Sequence, residues 1–337
     1  MDQLVINDLI YGQQVITEPV VLELIQSKTF QRLQDIDQGG YAPICYNPHN
    51  ISPAELKKNN RFEHSVGVYL LLNKYNDSLE SQVSGLLHDV SHPPFSHCVD
   101  YVFEEEGSQT DHSFQDNRHA DFIKNSEISD ILKKYKFDPD QIIHEANFLL
   151  LENKIPDICA DRIDYSLRTA LLFKEYSNEQ TDKMLDDLKA EAGVWYFAQT
   201  QSARDFAGLF KKMNDYHYSG LPTAVAFTVV SKVLKYCLRT GYLEKADFDR
   251  TDSFVLNKIK ANLKKDEILA GLYRDLNNRY SYQQVEKGEY SIFCKSRVID
   301  PYVKQGGKLA RLSGIYKDWS QVVTQDLKPK KYYLEKT

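Results

Sequence analysis

Three histidines and two carboxylates fall within the sixteen residues from Gly85 to Asp100: His88, Asp89, His92, His97 and Asp100. Imidazole nitrogens and carboxylate oxygens side by side are ligands for a divalent transition metal. The residues just before them, Val83 to Leu87, are mostly apolar, which predicts a buried helix delivering His88 and Asp89 to its C-terminal end. Pro93 and Pro94 cannot continue that helix, because proline lacks the N–H and restricts the residue before it. His92 and His97 then line the bend. A His-Asp pair alone would fit equally well a surface helix end with a histidine near the negative pole of the helix dipole. The additional ligands, and two further segments, favour a site.

The first of these segments starts a helix at Arg61. His64, Val68 and Leu72 follow at i, i+4 and i+8, so His64 lies on the apolar face. A histidine there is by default a core residue; Arg61 projects one turn earlier on nearly the same side. The second segment is the helix around Asp161. Asp161, Asp164, Tyr165 and Arg168 share one face, and Cys159, Ile163, Leu167, Ala170 and Leu171 make the opposite, apolar one. The plain alternative is a charged stripe in water, whose ion pairs contribute little.

These segments sit in a mainly α chain with small β elements at both ends. Residues 1–18 alternate and predict a hairpin-like segment. Glu18-Pro19 opens a helix whose apolar stripe runs through to Asp37, followed by a Pro-, Asn- and Ser-rich loop over 42–60. Residues 103–117 form an acidic surface loop containing Glu104–Glu106 and His112, with His119 at the start of the next helix. Asp138-Pro139 begins a helix running past His144 to Leu149–Leu151. Val194–Phe197 reads as a strand, a helix pair covers about 203–243 with a turn near Gly220, and one more helix covers about 252–272. The tail alternates, with Gly306-Gly307 and Gly314 as turns. The boundaries expected are 1–18 (hairpin), 19–175 (catalytic core), 176–275 (helical extension completing a cleft) and 276–337 (a β-rich appendage, a candidate dimer contact).

The chain has 337 residues, with 42 basic and 48 acidic side chains and a net charge of −6. That balance argues against non-specific nucleic-acid binding as the main task. Lys328–Lys331 and the Tyr-rich tail are its weak counter-indication. The five cysteines are widely spaced without a C-x-x-C, as expected for reduced thiols in a cytoplasmic protein. No segment is read as long enough to span a membrane, and no secretion signal is seen.

His64, His88-Asp89 and Asp161 in order form the pattern H…HD…D, which resembles the HD superfamily of metal-dependent phosphohydrolases. Arg61–Val68, His88–His97 and Asp161–Tyr165 are similar to the dNTP triphosphohydrolases of that superfamily, over about residues 20–175. The resemblance implies an HD-domain helical bundle, a homo-oligomer, and one divalent ion (Mn, Fe, Zn, Ni or Mg) on His64, His88, Asp89 and Asp161. It implies a nucleotide substrate bound by Gln38, Arg61, His97, Arg162, Asp164 and Tyr165, with a protonated His92 or His97 adding positive charge. His92, Asp100 and His119 are the implied catalytic groups, with His119 ahead of His112 for proton transfer. There are departures. Gln115-Asp116 stands where the family has a histidine-glutamate pair, Thr169 replaces an aspartate, and no arginine pair lies near Tyr216-His217-Tyr218. No SAM domain is seen. The expected activity is hydrolysis of a (deoxy)nucleoside triphosphate. The alternatives are a nucleotide monophosphatase, an alarmone or cyclic-nucleotide hydrolase, and a non-catalytic nucleotide sensor that keeps the metal cage.

Overall fold

The computed structural model describes residues 2–40, 55, 57–103, 110, 112–276 and 282–337. Most of the expected 42–60 loop, with Cys45, and the acidic run Glu104–Gly107 lie outside the described residues.

The helix carrying His64 is the centre of the protein. This helix, Arg61–Lys74, starts where the Asn60 side chain accepts a hydrogen bond from the Glu63 amide, and it is buried on almost every side from His64 to Leu72. Val66, Tyr69 and Leu70 join one apolar cluster, and Val68, Leu71 and Leu72 join another. A helix embedded between two cores has no solvated face, so its polar residues need protein partners.

In chain order the elements are β1 (Leu4–Asp8), β2 (Gly12–Ile16), α1 (Pro19–Gln26), α2 (Lys28–Gln31), α3 (Arg61–Lys74), α4 (Leu79–Leu87), α5 (Phe114–Lys124), α6 (Glu127–Lys134), α7 (Pro139–Ile143), α8 (Ala160–Leu172) and α9 (Asn178–Asp187). Then follow β3 (Leu188–Glu191), β4 (Val194–Phe197), α10 (Thr200–Met213), α11 (Leu221–Thr240), α12 (Asp252–Asn262), α13 (Glu267–Leu276), β5 (Tyr282–Gln284), β6 (Tyr290–Cys294), β7 (Tyr302–Gln305), β8 (Lys308–Arg311), α14 (Leu312–Ile315), α15 (Lys317–Asp326) and β9 (Lys330–Lys336). The fold is mainly α, as expected. β1 and β2 form an antiparallel hairpin, β3-β4-β7-β8 a four-stranded sheet with β4 and β7 parallel, and β5-β9-β6 a third sheet. β7 therefore pairs back onto β4, the last strand β9 lies between β5 and β6, and β6 leads a segment into the interior.

Several elements differ from expectation for local reasons. The stripe over 19–37 is not one helix. Ser27 is extended, and its hydroxyl accepts from the Phe30 amide, starting α2 afresh; a 3-10 turn over Arg32–Asp35 follows. The helix from Pro139 stops at Ile143, followed by a 3-10 turn over Glu145–Asn147. The expected helix over 252–272 is two, because the Asp266 carboxylate accepts from the Leu269 amide and opens α13. Gly314 lies inside α14 rather than in a turn, and His119 lies in the middle of α5.

The stretch Thr200–Thr240, 41 residues spanning α10 and α11, contains an 18-residue window of mean hydropathy 1.3, so a segment does meet the length and composition of a membrane span, contrary to expectation. Two-thirds of that window (67%) is buried within the protein, as in the core helix of a globular fold.

A candidate metal centre and its cavity

His88 is the C-cap of α4, where the helix ends as the sequence predicts, and α3 delivers His64 beside it. α8 brings Asp161 in its first turn, and Asp89 follows His88 directly. The two imidazoles are oriented from behind. His64 Nδ1 donates to Asp164 Oδ1 at 2.8 Å, and His88 Nδ1 donates to the Gly85 carbonyl at 2.7 Å. A carbonyl only accepts, so the proton of a neutral His88 sits on Nδ1 and its lone pair on Nε2. The ionised Asp164 imposes the same arrangement on His64.

Both Nε2 atoms point at one spot. They are 3.2 Å apart. Asp161 Oδ1 lies 2.9 Å from His64 Nε2 and 3.6 Å from His88 Nε2. Asp89 Oδ2 lies 3.8 and 3.6 Å from the same two atoms. Ligands bonded at 2.0–2.2 Å in octahedral or tetrahedral geometry are separated by about 3 to 3.6 Å. The donor atoms of His64, His88 and Asp161 all lie within 4.8 Å of one another, the spacing of a coordination shell, and Asp89 stands beside both imidazoles. Two facing lone pairs at 3.2 Å repel unless a cation stands between them. In the metal-free chain that cation is a proton. Burial works against charging His88, but the Asp89 and Asp161 carboxylates outweigh it and push its pKa up to about 10. His64 is raised likewise against burial, through its hydrogen bonds to Asp161 and Asp164. Asp89 is held well below the carboxylate range, Arg61 and His88 overcoming the effect of burial.

Asp164 itself is the hub of a buried ionic group. Asp164 is fully buried, Arg168 is 2% exposed, and neither lies in water. The solvated-stripe alternative for α8 is thus wrong: tertiary packing encloses the charged face. Arg168 Nε and Nη2 donate to the two Asp164 oxygens at 2.9 Å each, and Nη2 also donates to Asp8 Oδ2. Tyr11 Oη donates to Asp164 Oδ2 at 3.2 Å. Asp8 in turn caps the hairpin turn, its Oδ1 accepting from the Ile10 and Tyr11 amides. Gly67 makes this approach possible. A Cβ there would collide with Arg168 Nη2 and Asp164 Oδ2. Asp164 does not reach the cavity wall, which corrects its expected place among substrate-binding residues. It holds His64 instead.

A cavity of about 340 Å³ opens beside the cage. Gln38, Arg61, His92, His97, Arg162 and Tyr165, all expected at the site, line it. Arg61 is already engaged: its Nη1 donates to Asp89 Oδ2 at 2.6 Å, its Nε to Ser96 Oγ, and its Nη2 to the Gln38 carbonyl. Arg162 Nη2 donates to Glu152 Oε1 at 2.7 Å. Burial and the nearby Arg61 push His92 and His97 well below the usual imidazole range, so neither is the extra positive charge expected of it. The bend carrying them is clamped from α12. Asp252 Oδ1 accepts from the amide of Phe95, a residue with φ of +61°, and Asp252 Oδ2 accepts from the amide of Asp37. One side chain thus ties the Gln38 loop to the His97 loop.

Two expected catalytic groups stand back from the cavity. His119 contacts Ser91 Oγ through Nδ1 at 2.9 Å and does not reach the wall. His112 does. It stacks on His97 with ring centroids 4.5 Å apart. Of the two, His112 and not His119 lines the cavity, opposite to the order expected. An amphipathic count puts His119 on the inner side of α5, but that side faces Ser91, whereas His112 is turned inward by a left-handed residue conformation, φ +55°. Asp100 lies behind His97, Oδ2 to Nδ1 3.3 Å, and does not line the cavity. Burial raises its pKa to about 7.

Sequence reasoning missed part of the wall. Gln115 lines the cavity, donating to the His88 carbonyl and Ser91 Oγ. Glu145, Glu152, Lys295 and Arg297 line it too. The only sequence signal for the last two was the period-2 alternation after Tyr290.

Residues 61–169 match the family model of the HD domain. The uncharacterized protein YdhJ of Bacillus subtilis is 32% identical over 312 residues, 92% of this chain and 91% of that one. The metal-dependent phosphohydrolase cns2 of Cordyceps militaris is 35% identical over 189 residues, 56% of this chain and 51% of its own length. The deoxynucleoside triphosphate triphosphohydrolase SAMHD1 of Mus musculus is 25% identical over 346 residues, 92% of this chain and 46% of its own. The chain belongs to the HD-domain family of metal-dependent phosphohydrolases.

Proposed function

We propose that the protein hydrolyses a nucleotide, a (deoxy)nucleoside triphosphate before other classes, with His64, His88, Asp89 and Asp161 as the ligands of one divalent ion. The observation that carries this is the meeting of two imidazole Nε2 atoms, their Nδ1 protons fixed from behind, with two carboxylates. The mixed N/O donor set fits Mn, Fe, Zn, Ni or Mg. An ion held there supplies Lewis-acid charge beside the phosphorus and makes water a better nucleophile at neutral pH.

The chain's own residues do the rest. Arg61 holds Asp89 in place and carries positive charge to the cavity wall, where equatorial phosphoryl oxygens gain negative charge. Arg162 adds a second, tempered by Glu152. His97, its Nδ1 proton held by Asp100, and the stacked His112 take and return protons. Gln38 Oε1, Tyr165 Oη, His92 Nδ1 and His112 Nδ1 are buried without a hydrogen-bond partner among the described residues. Buried polar atoms are normally satisfied, so four unsatisfied ones on residues of one cavity mark where a polar ligand binds. Tyr165 offers a ring for the sugar and a hydroxyl for its oxygens. The activity by which the mouse relative is named supports a triphosphate. The sensor alternative rested on Gln115 in place of a histidine; His112 on the wall supports the enzymatic reading over it.

The test is metal analysis of the wild type and of His88→Ala, then a nucleotide panel assayed with Mn²⁺, Mg²⁺ and Co²⁺. We expect the variant to lose both metal and hydrolysis, and chromatography to show inorganic triphosphate from the wild type. Full activity in a verified metal-free variant would refute the assignment. Nucleotide-dependent stabilisation without any turnover would establish the sensor instead.

A further inference from the structure

The loops that carry Gln38 and His97 lie back to back, and the join between them reaches outside the cavity. Gln38 and Gly39 line one part of the wall, His92 and His97 another. Behind them, Ser96 Oγ donates to the Asp37 carbonyl at 2.7 Å, and Arg61 donates both to Ser96 Oγ and to the Gln38 carbonyl. Gly40 lies so close to the bend that a Cβ there would collide with the Phe95 carbonyl. The bend itself is strained. Phe95 and Ser96 are consecutive left-handed residues, with φ of +61° and +42°. Residues other than glycine keep such angles only where surrounding contacts impose them.

Asp252 supplies such contacts from the first turn of α12. Its Oδ1 accepts from the Phe95 amide at 2.7 Å and its Oδ2 from the Asp37 amide at 2.9 Å, one bond to each loop. Asp252 does not line the cavity, and it bonds to none of the four cage residues among the described residues. Burial raises its pKa to about 8 against the pull of the two amides. A carboxyl group keeps acceptor lone pairs in either protonation state, so the two bonds do not require the anion. The residue is fixed in its turn. Thr251 Oγ1 accepts from the Phe254 amide and starts α12. Ser253 Oγ donates to Asp35 Oδ1 at 2.8 Å, and the Arg250 carbonyl accepts from Arg32 Nη1 at 2.9 Å. Asp249 pairs with Arg118 of α5. The start of α12 is thus moored to the 3-10 turn before Gln38 and to α5.

We infer that Asp252 is a positioning residue for the hydrolysis: it sets the spacing of Gln38 and His97 across the cavity, so that turnover depends on the helical extension as well as on the cage. This rests on the phosphohydrolase reading above. Misplacing a reacting group by about 1 Å costs about 100-fold in rate, and two loops released from a common tie shift by amounts of that order.

The test compares the full-length, metal-loaded wild type with Asp252→Asn, Asp252→Glu and Ser253→Ala. The readouts are hydrogen exchange of segments 35–40 and 92–99, metal content, and kinetics on the nucleotide that the wild type hydrolyses fastest, all well below each thermal transition. Asparagine has a single acceptor oxygen, so one of the two amides loses its partner whichever way the side chain turns. We expect Asp252→Asn to speed exchange in these segments, to lower kcat by about tenfold or more, and to leave metal content unchanged. Asp252→Glu keeps both acceptors on a longer arm and should retain part of that turnover. Ser253→Ala removes only the neighbouring contact with Asp35 and should keep the wild-type kcat. Unchanged exchange in Asp252→Asn, or a lowered melt with the wild-type kcat, overturns the positioning role. So does an equal fall of kcat in Ser253→Ala, which would place the effect in the docking of α12 as a whole. A wild type that hydrolyses no nucleotide rejects the enzymatic reading, and the role in turnover with it. Should Asp252→Asn not fold, Asp252→Glu carries the comparison.

Discussion

Replacing Asp164 with asparagine tests whether the residue acts through His64 or on substrate. The substitution keeps volume and removes one charge. Each carboxylate oxygen accepts two hydrogen bonds: Oδ1 from His64 Nδ1 and Arg168 Nε, Oδ2 from Arg168 Nη2 and Tyr11 Oη. An amide nitrogen in either position faces two donors, so asparagine loses two of the four bonds whichever way it is turned. Breaking one partner of a buried ion pair costs about 3–5 kcal/mol. Arg168 keeps Asp8, 2.9 Å away, so the low end applies. That corresponds to a fall in Tm of roughly 5 °C for a chain of this size. His64 also loses its anionic acceptor, and weakening such a partner behind a metal ligand costs about 10–100-fold in metal affinity. The assay is equilibrium dialysis against buffered Mn²⁺ with metal analysis, alongside a thermal melt and steady-state kinetics at saturating metal. A variant that binds metal like the wild type but shows a raised KM would refute the positioning role and return Asp164 to the substrate.

Other outcomes follow from the same geometry. His112→Gln should lower kcat about 100-fold or more, the usual weight of a general acid or base, while His119→Gln should leave most turnover; the opposite order would put the proton path back through α5. Gly67→Ala should destabilise the fold by about 2 kcal/mol through overpacking and weaken metal binding with it. A melt unchanged from wild type would show that the contact between α3 and α8 is looser than described. Glu145, on the cavity wall, has its pKa raised by burial to about 8. A raised folded-state pKa contributes stability fully present below the unfolded value, near 4.5, and lost as pH climbs through about 8. In chelator, Glu145→Gln should therefore gain Tm on the wild type between those limits, and the two curves should converge at lower pH. Parallel curves would show that Glu145 ionises freely.

The meeting of His64, His88, Asp89 and Asp161 was legible because the four belong to short segments with strong local signals. His64 lies on the periodic face of α3, His88-Asp89 on a helix stopped by Pro93-Pro94, and Asp161 opens a helix. The strand at Val194–Phe197 and the helix pair about Gly220 were legible in the same way. The place of His112 on the cavity wall was not, because its inward turn depends on one residue at φ +55° after a stretch with no periodicity. Asp164 was misread because spacing shows that it shares a face with Asp161 but not that Asp8 and Tyr11 close over that face. Lys295 and Arg297 lay furthest from reach: their alternation is ordinary for a strand, and the Asn214 contact that holds the segment, to Ser296 Oγ and the Arg297 amide, lies some eighty residues away in sequence. The breaks at Ser27 and Asp266 hinge on single side chains competing with helix backbone, which apolar periodicity does not register.

The bonded series from Asp8 through Arg168 and Asp164 to His64 ties the first turn of the protein to its metal cage in three links. Trimming the protein to the signature span 61–169, as one would to isolate a minimal module, cuts away the outermost link while leaving every cage ligand in place. Such a fragment should carry the full motif and still hold a cation poorly. A bulky fusion packed against the β1–β2 turn would reach the cage by the same route, so the terminus at which a purification handle is attached is a functional choice for this protein.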